Sequence, residues 1–340
     1  MEITGPIRTV RKVLRGFAPA ALLLCSAAVG AAQSPTARSE AERPGRLFDI
    51  GGRKLHIHCI GSGQPTVVFE GSYMQFALDW WLVQPAVGKT TRACSYDRGG
   101  LGWSDPAPGF ENAALIVSDL HAVLAAAGEK PPYVFVTISM GAFYARAYQM
   151  TYPRDVVGFV FLEPAHEDAF LVRINGKQTP LWSVSEEQAA AFITWLNDGI
   201  RPPPPQSPPY EMGPPFNKLP SNVLRTRLAF QRRAFETSEA QTVADQIRDF
   251  ESRRVTAERL HSADAALGSL PVIVLTAEKA NLPPLTRVGP AKTAALSSNS
   301  ARRLVKSTHM IHLDAPSIVV KAIGEVLNAV RTNSTLESPP

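Results

Sequence analysis

Short, continuous apolar runs recur along this chain, each followed by a segment of different periodicity. The runs are PTVVFEG (residues 65–71), TRACSYDR (91–98), YVFVTI (133–138), VVGFVFLE (156–163) and PVIVLTAE (271–278). A strand that is apolar at successive positions must be covered on both faces. Residues 112–127 place Leu115, Ile116, Leu120, Val123, Leu124 and Ala127 at three- and four-residue spacing, the period of a helix with one buried face. Strands alternating with helices predict a mostly parallel sheet flanked by helices, an α/β fold. Residues 53–61 add a strand joined to 65–71 by a Gly-Ser-Gly turn. A helix is expected over 140–151, a strand at RRLVKS (302–307), and a closing amphipathic helix over 316–331.

The alternation stops between residues 165 and 268. That span offers helical patterns near 185–198, 221–237 and 240–260, split by RPPPPQSPPYEMGPP (201–215). Proline at that density cannot lie inside a helix and reads as a rigid surface connection. The expected organisation is one α/β core built from residues 47–164 and 269–331. A helical cap (165–268) is inserted after the strand ending near Glu163, and residues 332–340 form a disordered tail.

The 340-residue chain carries a formal charge of +5, but the excess is local. Residues 1–32 hold Arg8, Arg11, Lys12 and Arg15 against Glu2, a net of +3, and the remainder has 31 basic and 29 acidic residues. A nearly neutral body gives no footprint for nucleic acid. The basic start precedes FAPAALLLCSAAVGAA (17–32), which ends in small residues, the composition of a signal peptide cleaved after Ala31 or Ala32. Residues 33–46 read as a flexible leader. A secreted or periplasmic mature chain with no membrane span is therefore expected. It keeps Cys59 and Cys94, which in an oxidising compartment either pair or remain buried thiols. No Cys/His cluster has zinc spacing, so no metal is expected.

The residue with chemical content is Ser139 in VFVTISMGA (134–142), where a buried strand meets a helical pattern. A serine at a tight strand-to-helix turn is lifted above the sheet with the next helix's N-terminus beside it, the arrangement of a nucleophile elbow. The neighbours at minus two and plus two must be small. Gly141 meets that need, and Thr137 is larger. The plainer alternative is a serine that only caps a helix.

Three segments carry a resemblance. The chain has PTVVFE at 65–70, CSYDRGGLGWSD at 94–105 and PYVFVTISMGA at 132–142. It is thereby similar to the α/β-hydrolase superfamily over essentially all of residues 47–331. Within that superfamily it resembles secreted or membrane-associated bacterial members with PTVVLE, CAYDRAGYGWSD and PYVLVGHSLGG. Thr137 and Ile138 stand where those relatives have Gly and His, and Ala142 replaces a second Gly. The Asp97–Arg98 loop with Gly100 and Gly102 is mostly architectural in the superfamily.

The resemblance implies a serine nucleophile, Ser139, with a histidine base. STHMIHLDAP (307–316) matches the family's histidine segment at His309, with Thr308 in the Gly position, and leaves His312 structural or at a rim. The usual acid position falls on Ala280. The second location used in the family, the end of the strand after the elbow helix, is Glu163, with Glu278 and Asp168 as alternatives. Oxyanion N–H groups are expected from Met140 and from Tyr73, or from Ser72 if the loop is offset by one residue. His166, Trp182 and Trp195 are candidates to line a pocket, and Trp80 and Trp81 flank the same mouth. The expected function is a serine carboxylic-ester hydrolase that acts on a small acyl substrate without a cofactor. One alternative is a proline-iminopeptidase-like amidase using Glu186 or Glu187. The other is a non-catalytic ligand-binding member of the fold.

Overall fold

The computed structural model describes residues 43–108, 112–174, 177–197, 213–239, 242–262, 266–279 and 287–336. Its strands are β1 (Arg46–Asp49), β2 (Lys54–Ile60), β3 (Thr66–Glu70), β4 (Ala93–Tyr96), β5 (Tyr133–Ile138), β6 (Val156–Leu162), β7 (Leu171–Ile174), β8 (Lys177–Pro180), β9 (Val272–Ala277) and β10 (Ser300–Val305). Its helices are α1 (Gln84–Val87), α2 (Ala113–Ala126), α3 (Gly141–Thr151), α4 (Glu186–Asn197), α5 (Ser221–Glu239), α6 (Val243–His261), α7 (Gly289–Ala295), α8 (Ile311–Asp314) and α9 (Pro316–Thr332). Among the described residues no helix is long and apolar enough to cross a membrane.

The main sheet has the order β1-β2-β4-β3-β5-β6-β9-β10. β1 and β2 are antiparallel additions, and every pair from β4 to β10 is parallel. Alternate residues feed two cores, as the two-residue period of a strand requires. Val67, Phe69, Val134, Val136, Val160, Ile273 and Leu275 pack with Val319, Ile323, Val326 and Leu327 of α9. Val68, Phe135, Phe159, Phe161 and Val274 pack with Val117, Leu120 and Leu124 of α2 and Ala145 and Tyr148 of α3. The chain leaves β3 to build β4 on one side, then returns to add β5 on the other. The loops after β3 and β5 therefore diverge, and a crevice opens outside their carboxyl ends.

Several features depart from the sequence expectation. Pairing with β2 begins at Arg46, inside the segment expected to be leader, because β1 zips onto Lys54–Ile57 of that strand. The span 165–268 is not wholly helical, since β7 and β8 form an antiparallel hairpin within it. The tail is docked as far as Leu336, whose N–H donates to Asn299 Oδ1 at 2.8 Å. Trp80 belongs to the core, 1% exposed and against Phe69, and does not flank a mouth. Of the two alternatives left open for Cys59 and Cys94, the structure has the pair: they face each other in the β2–β4 register and form a disulfide. The signal segment, Ala280, most of the proline-rich connection and residues 337–340 lie outside the described residues.

Candidate active site

β5 ends at Ile138, and Ser139 follows in the left-handed region at φ +50°. A non-glycine residue there costs roughly 1–3 kcal/mol and persists only where its surroundings hold it. The Ser139 N–H donates to Leu162 O at 3.0 Å, and its carbonyl accepts from Ala142 N (3.1 Å) and Ala165 N (2.9 Å). Gly141 opens α3 against the end of β3. A Cβ there would lie 2.5 Å from Glu70 O and 2.8 Å from Gly71 O, so the plus-two position admits only glycine. Thr137 at minus two is buried, and its Oγ1 has no partner among the described residues. The turn forms although neither Thr137 nor Ile138 follows the family pattern.

The loop after β3 meets the elbow from the other side of the crevice. Ser72 N–H donates to Gln75 Oε1 at 2.8 Å, so that N–H is already engaged and the offset alternative for the oxyanion donor loses its group. Tyr73 is 52% exposed. Gln75 also donates through Nε2 to Met310 Sδ at 3.4 Å, which ties the loop to the residue after His309. Beneath it, Arg98 donates to Gly71 O, Ser72 O and Glu70 Oε1 at 2.9, 2.6 and 2.7 Å. Glu70 is fully buried, and burial pushes its pKa up against the pull of Arg98 and Tyr96. Sequence reasoning left this contact out, because a motif identifies a loop and not what its side chains reach.

His309 follows β10 in a turn pinned by Asp314, whose Oδ2 accepts from Thr308 N (2.9 Å) and Thr308 Oγ1 (2.6 Å). Lys218 of the inserted segment pairs with the other Asp314 oxygen at 2.8 Å. His309 Nδ1 is buried with no partner among the described residues, and burial holds the ring pKa below its usual value. Glu163 stands one residue past β6 at φ +45°. Its Oε1 accepts from Ala277 N at 2.5 Å, and burial raises its pKa while that bond lowers it. Among the described residues no hydrogen bond or ion pair joins His309 to Ser139 or to Glu163. Of the alternative acids, Glu278 is exposed, and the Asp168 carboxylate is occupied by Lys292 and by Trp182 Nε1 at 2.7 Å.

The expected pocket residues are less free than their positions suggested. His166 is buried, its Nδ1 accepts from Asp168 N at 3.3 Å, and burial pushes its pKa down to about 4. Trp182 stacks on His261 of α6 at 3.5 Å, joining the start of the insertion to its last helix. The Trp195 side chain lies outside the described residues. Trp81, at 37% exposure, lines instead an apolar cavity of about 230 Å³ with Ile60, Leu78 and Pro85. Glu186 and Glu187 are exposed in the first turn of α4, where acids complement the helix dipole. Among the described residues one cluster has metal-ligand chemistry, Cys59, Cys94 and Glu129, and its two sulfurs are consumed in the disulfide.

The model of the alpha/beta hydrolase family matches residues 55–322. The uncharacterized protein YqjL of Bacillus subtilis is 32% identical over 124 residues, 36% of this chain and 49% of that protein. The chain thus matches about half the length of that relative. Among solved structures, a putative lipase from Acinetobacter baumannii aligns with TM-score 0.59 at 16% identity, over 85% of this chain and 92% of that one. A thermophilic esterase from Thermogutta terrifontis aligns with TM-score 0.53 at 18% identity, over 84% and 98%. At those identities the structural likeness speaks for the fold alone.

Proposed function

The chain belongs to the alpha/beta hydrolase family, and on that premise we propose that it is a serine hydrolase cleaving carboxylic esters of small molecules. Ser139 Oγ attacks the acyl carbon while His309 takes its proton. Glu163 accepts from His309 Nδ1, holding the tautomer and stabilising the imidazolium. The N–H groups of Met140 and Tyr73 receive the developing oxyanion. His309 then passes its proton to the departing alcohol, and water, deprotonated by the same ring, releases the acid and frees the serine. The scheme needs no cofactor.

One observation carries this reading. Among the described residues four non-glycine residues have positive φ, and Ser139 and Glu163 are two of them, each directly after one of the adjacent strands β5 and β6. Strain at two neighbouring strand ends, in a protein whose His309 Nδ1 is buried with no partner among the described residues, is the pattern of a site that trades stability for geometry. Residues 165–268 act as a cap over the crevice in this reading. The Cys59–Cys94 disulfide supports export into an oxidising compartment, directed by residues 1–32.

The test combines labelling by a fluorophosphonate with turnover of p-nitrophenyl esters of increasing chain length. The wild type should label and turn over. Ser139→Ala should do neither, losing several orders of magnitude in kcat while keeping its melting temperature. Wild-type turnover by Ser139→Ala refutes the assignment.

A further inference from the structure

Arg98 belongs to a motif whose role in the superfamily is architectural, yet its side chain ends at the rim of the candidate site. The guanidinium is 4% exposed and bridges two successive carbonyls, Gly71 O through Nη1 and Ser72 O through Nη2. Both following peptide bonds are trans. In a trans peptide the carbonyl of one residue and the N–H of the next point in opposite directions. Fixing Gly71 O toward Arg98 therefore turns the Ser72 N–H away from it, and there that N–H meets Gln75 Oε1. Fixing Ser72 O toward Arg98 turns the Tyr73 N–H away from Arg98 in the same manner.

We propose that Arg98 is the positioning residue of the oxyanion hole, aiming the Tyr73 N–H by holding the carbonyl of the same peptide unit. The role rests on the reading of Ser139 as nucleophile. Guanidinium suits the task because its planar fork donates to two acceptors at fixed separation, which an ammonium cannot do. Glu70 completes the device. It neutralises the buried charge through Nη1, accepts from the Tyr96 hydroxyl, and sits one residue before the carbonyls that Arg98 holds. The loop is also anchored further along. Asp79 accepts from Phe76 N at 2.8 Å and pairs with Arg227 of α5, so its two ends are fixed by separate buried arginines.

The experiment uses Arg98→Lys, which keeps the charge against Glu70 but cannot span both carbonyls. A second variant, Arg98→Met with Glu70→Gln, removes the buried pair together so that no lone charge remains. Each is titrated with a fluorophosphonate to count competent sites, then assayed with p-nitrophenyl butyrate, with melting temperature recorded alongside. The expected result is a fall of about 10- to 100-fold in kcat per labelled site, the scale of a misplaced catalytic group, with KM nearly unchanged because the donor acts on the transition state. A purely structural arginine would lower the melting temperature and the number of labelled sites but leave kcat per site intact. That outcome overturns the proposal. A wild type that takes no label overturns the serine reading itself, and this role with it, which separates the two failures.

Discussion

Lowering the pH from 7.5 to 4.5 should destabilise the protein by about 2.5 kcal/mol through His312 alone, by proton linkage. His312 lies in α8 at 0% exposure, 5.0 Å from the Trp80 ring, and neither ring nitrogen has a partner among the described residues. Burial pushes its pKa down to about 4, with Asp79 and Asp314 opposing that shift and Arg227 and His309 adding to it. In the unfolded chain the same ring titrates near 6.5. The folded value is the lower one, so on acidification the unfolded state binds the proton first. The stability held by the neutral buried ring is complete above about pH 6.5 and is lost progressively as the pH falls toward 4.

His312→Phe keeps an aromatic ring against Trp80 and removes the titration. At pH 7.5 the variant should stay within about 1.5 kcal/mol of wild type, the usual range for a swap of similar volume. Urea unfolding of both proteins at pH 7.5 and 4.5 gives four free energies. The wild type should lose about 2.5 kcal/mol more than the variant between the two pH values. His166, also pushed to about 4 by burial, is present in both proteins and cancels in the comparison. Equal losses would show that His312 is protonated in the folded state or reaches solvent, and would refute the reasoning.

Glu163→Gln should lower kcat by about 10⁴-fold, as neutralising a triad acid does, while Glu278→Gln stays near wild type in the same ester assay. The reverse pattern would move the acid to Glu278. Replacing both Cys59 and Cys94 with serine opens a link between residues 35 apart in sequence. Chain entropy puts its loss at about 3 to 4 kcal/mol, measurable as a lower urea midpoint at pH 7.5, and an unchanged midpoint would contradict it.

The parallel core was legible because β3, β5, β6 and β9 are apolar at most successive positions and its helices keep their spacing. β3 is buried at all five residues, and the run PTVVFEG could hardly sit anywhere but inside a two-faced layer. β1 and the β7–β8 hairpin escaped for the converse reason. RLFD is four residues long with no buried residue, LVRI is a four-residue run inside a span that otherwise reads as helical, and KQTP is exposed or half-buried throughout, so all three are too short to stand out and exist by pairing. Trp80 escaped too. Sequence reasoning put the tryptophan at a mouth, but it packs against His312 and both are buried, which for His312 is the structural of its two expected places.

The candidate site was legible only in part, and the boundary follows the range of the forces involved. Ser139 could be read because the elbow is a local event, with a strand end, a helix start and Gly141 within three residues. Its surroundings could not. The Arg98 contacts join residues 26 to 28 apart, the Glu163–Ala277 bond spans 114 positions, and the Gln75–Met310 contact spans 235. Such contacts depend on how the strand ends line up across the sheet, which no periodicity encodes. They also explain why Thr137 and Ile138 do not prevent the turn. The positive φ of Ser139 is imposed by Leu162 O and Ala165 N, by the close approach of Gly141 to Glu70, and by the helix that follows. A local mismatch of one hydroxyethyl side chain or one ring is small against that many distant constraints. On this view the departures from the family pattern before Ser139 alter what lies behind that serine and leave its presentation intact.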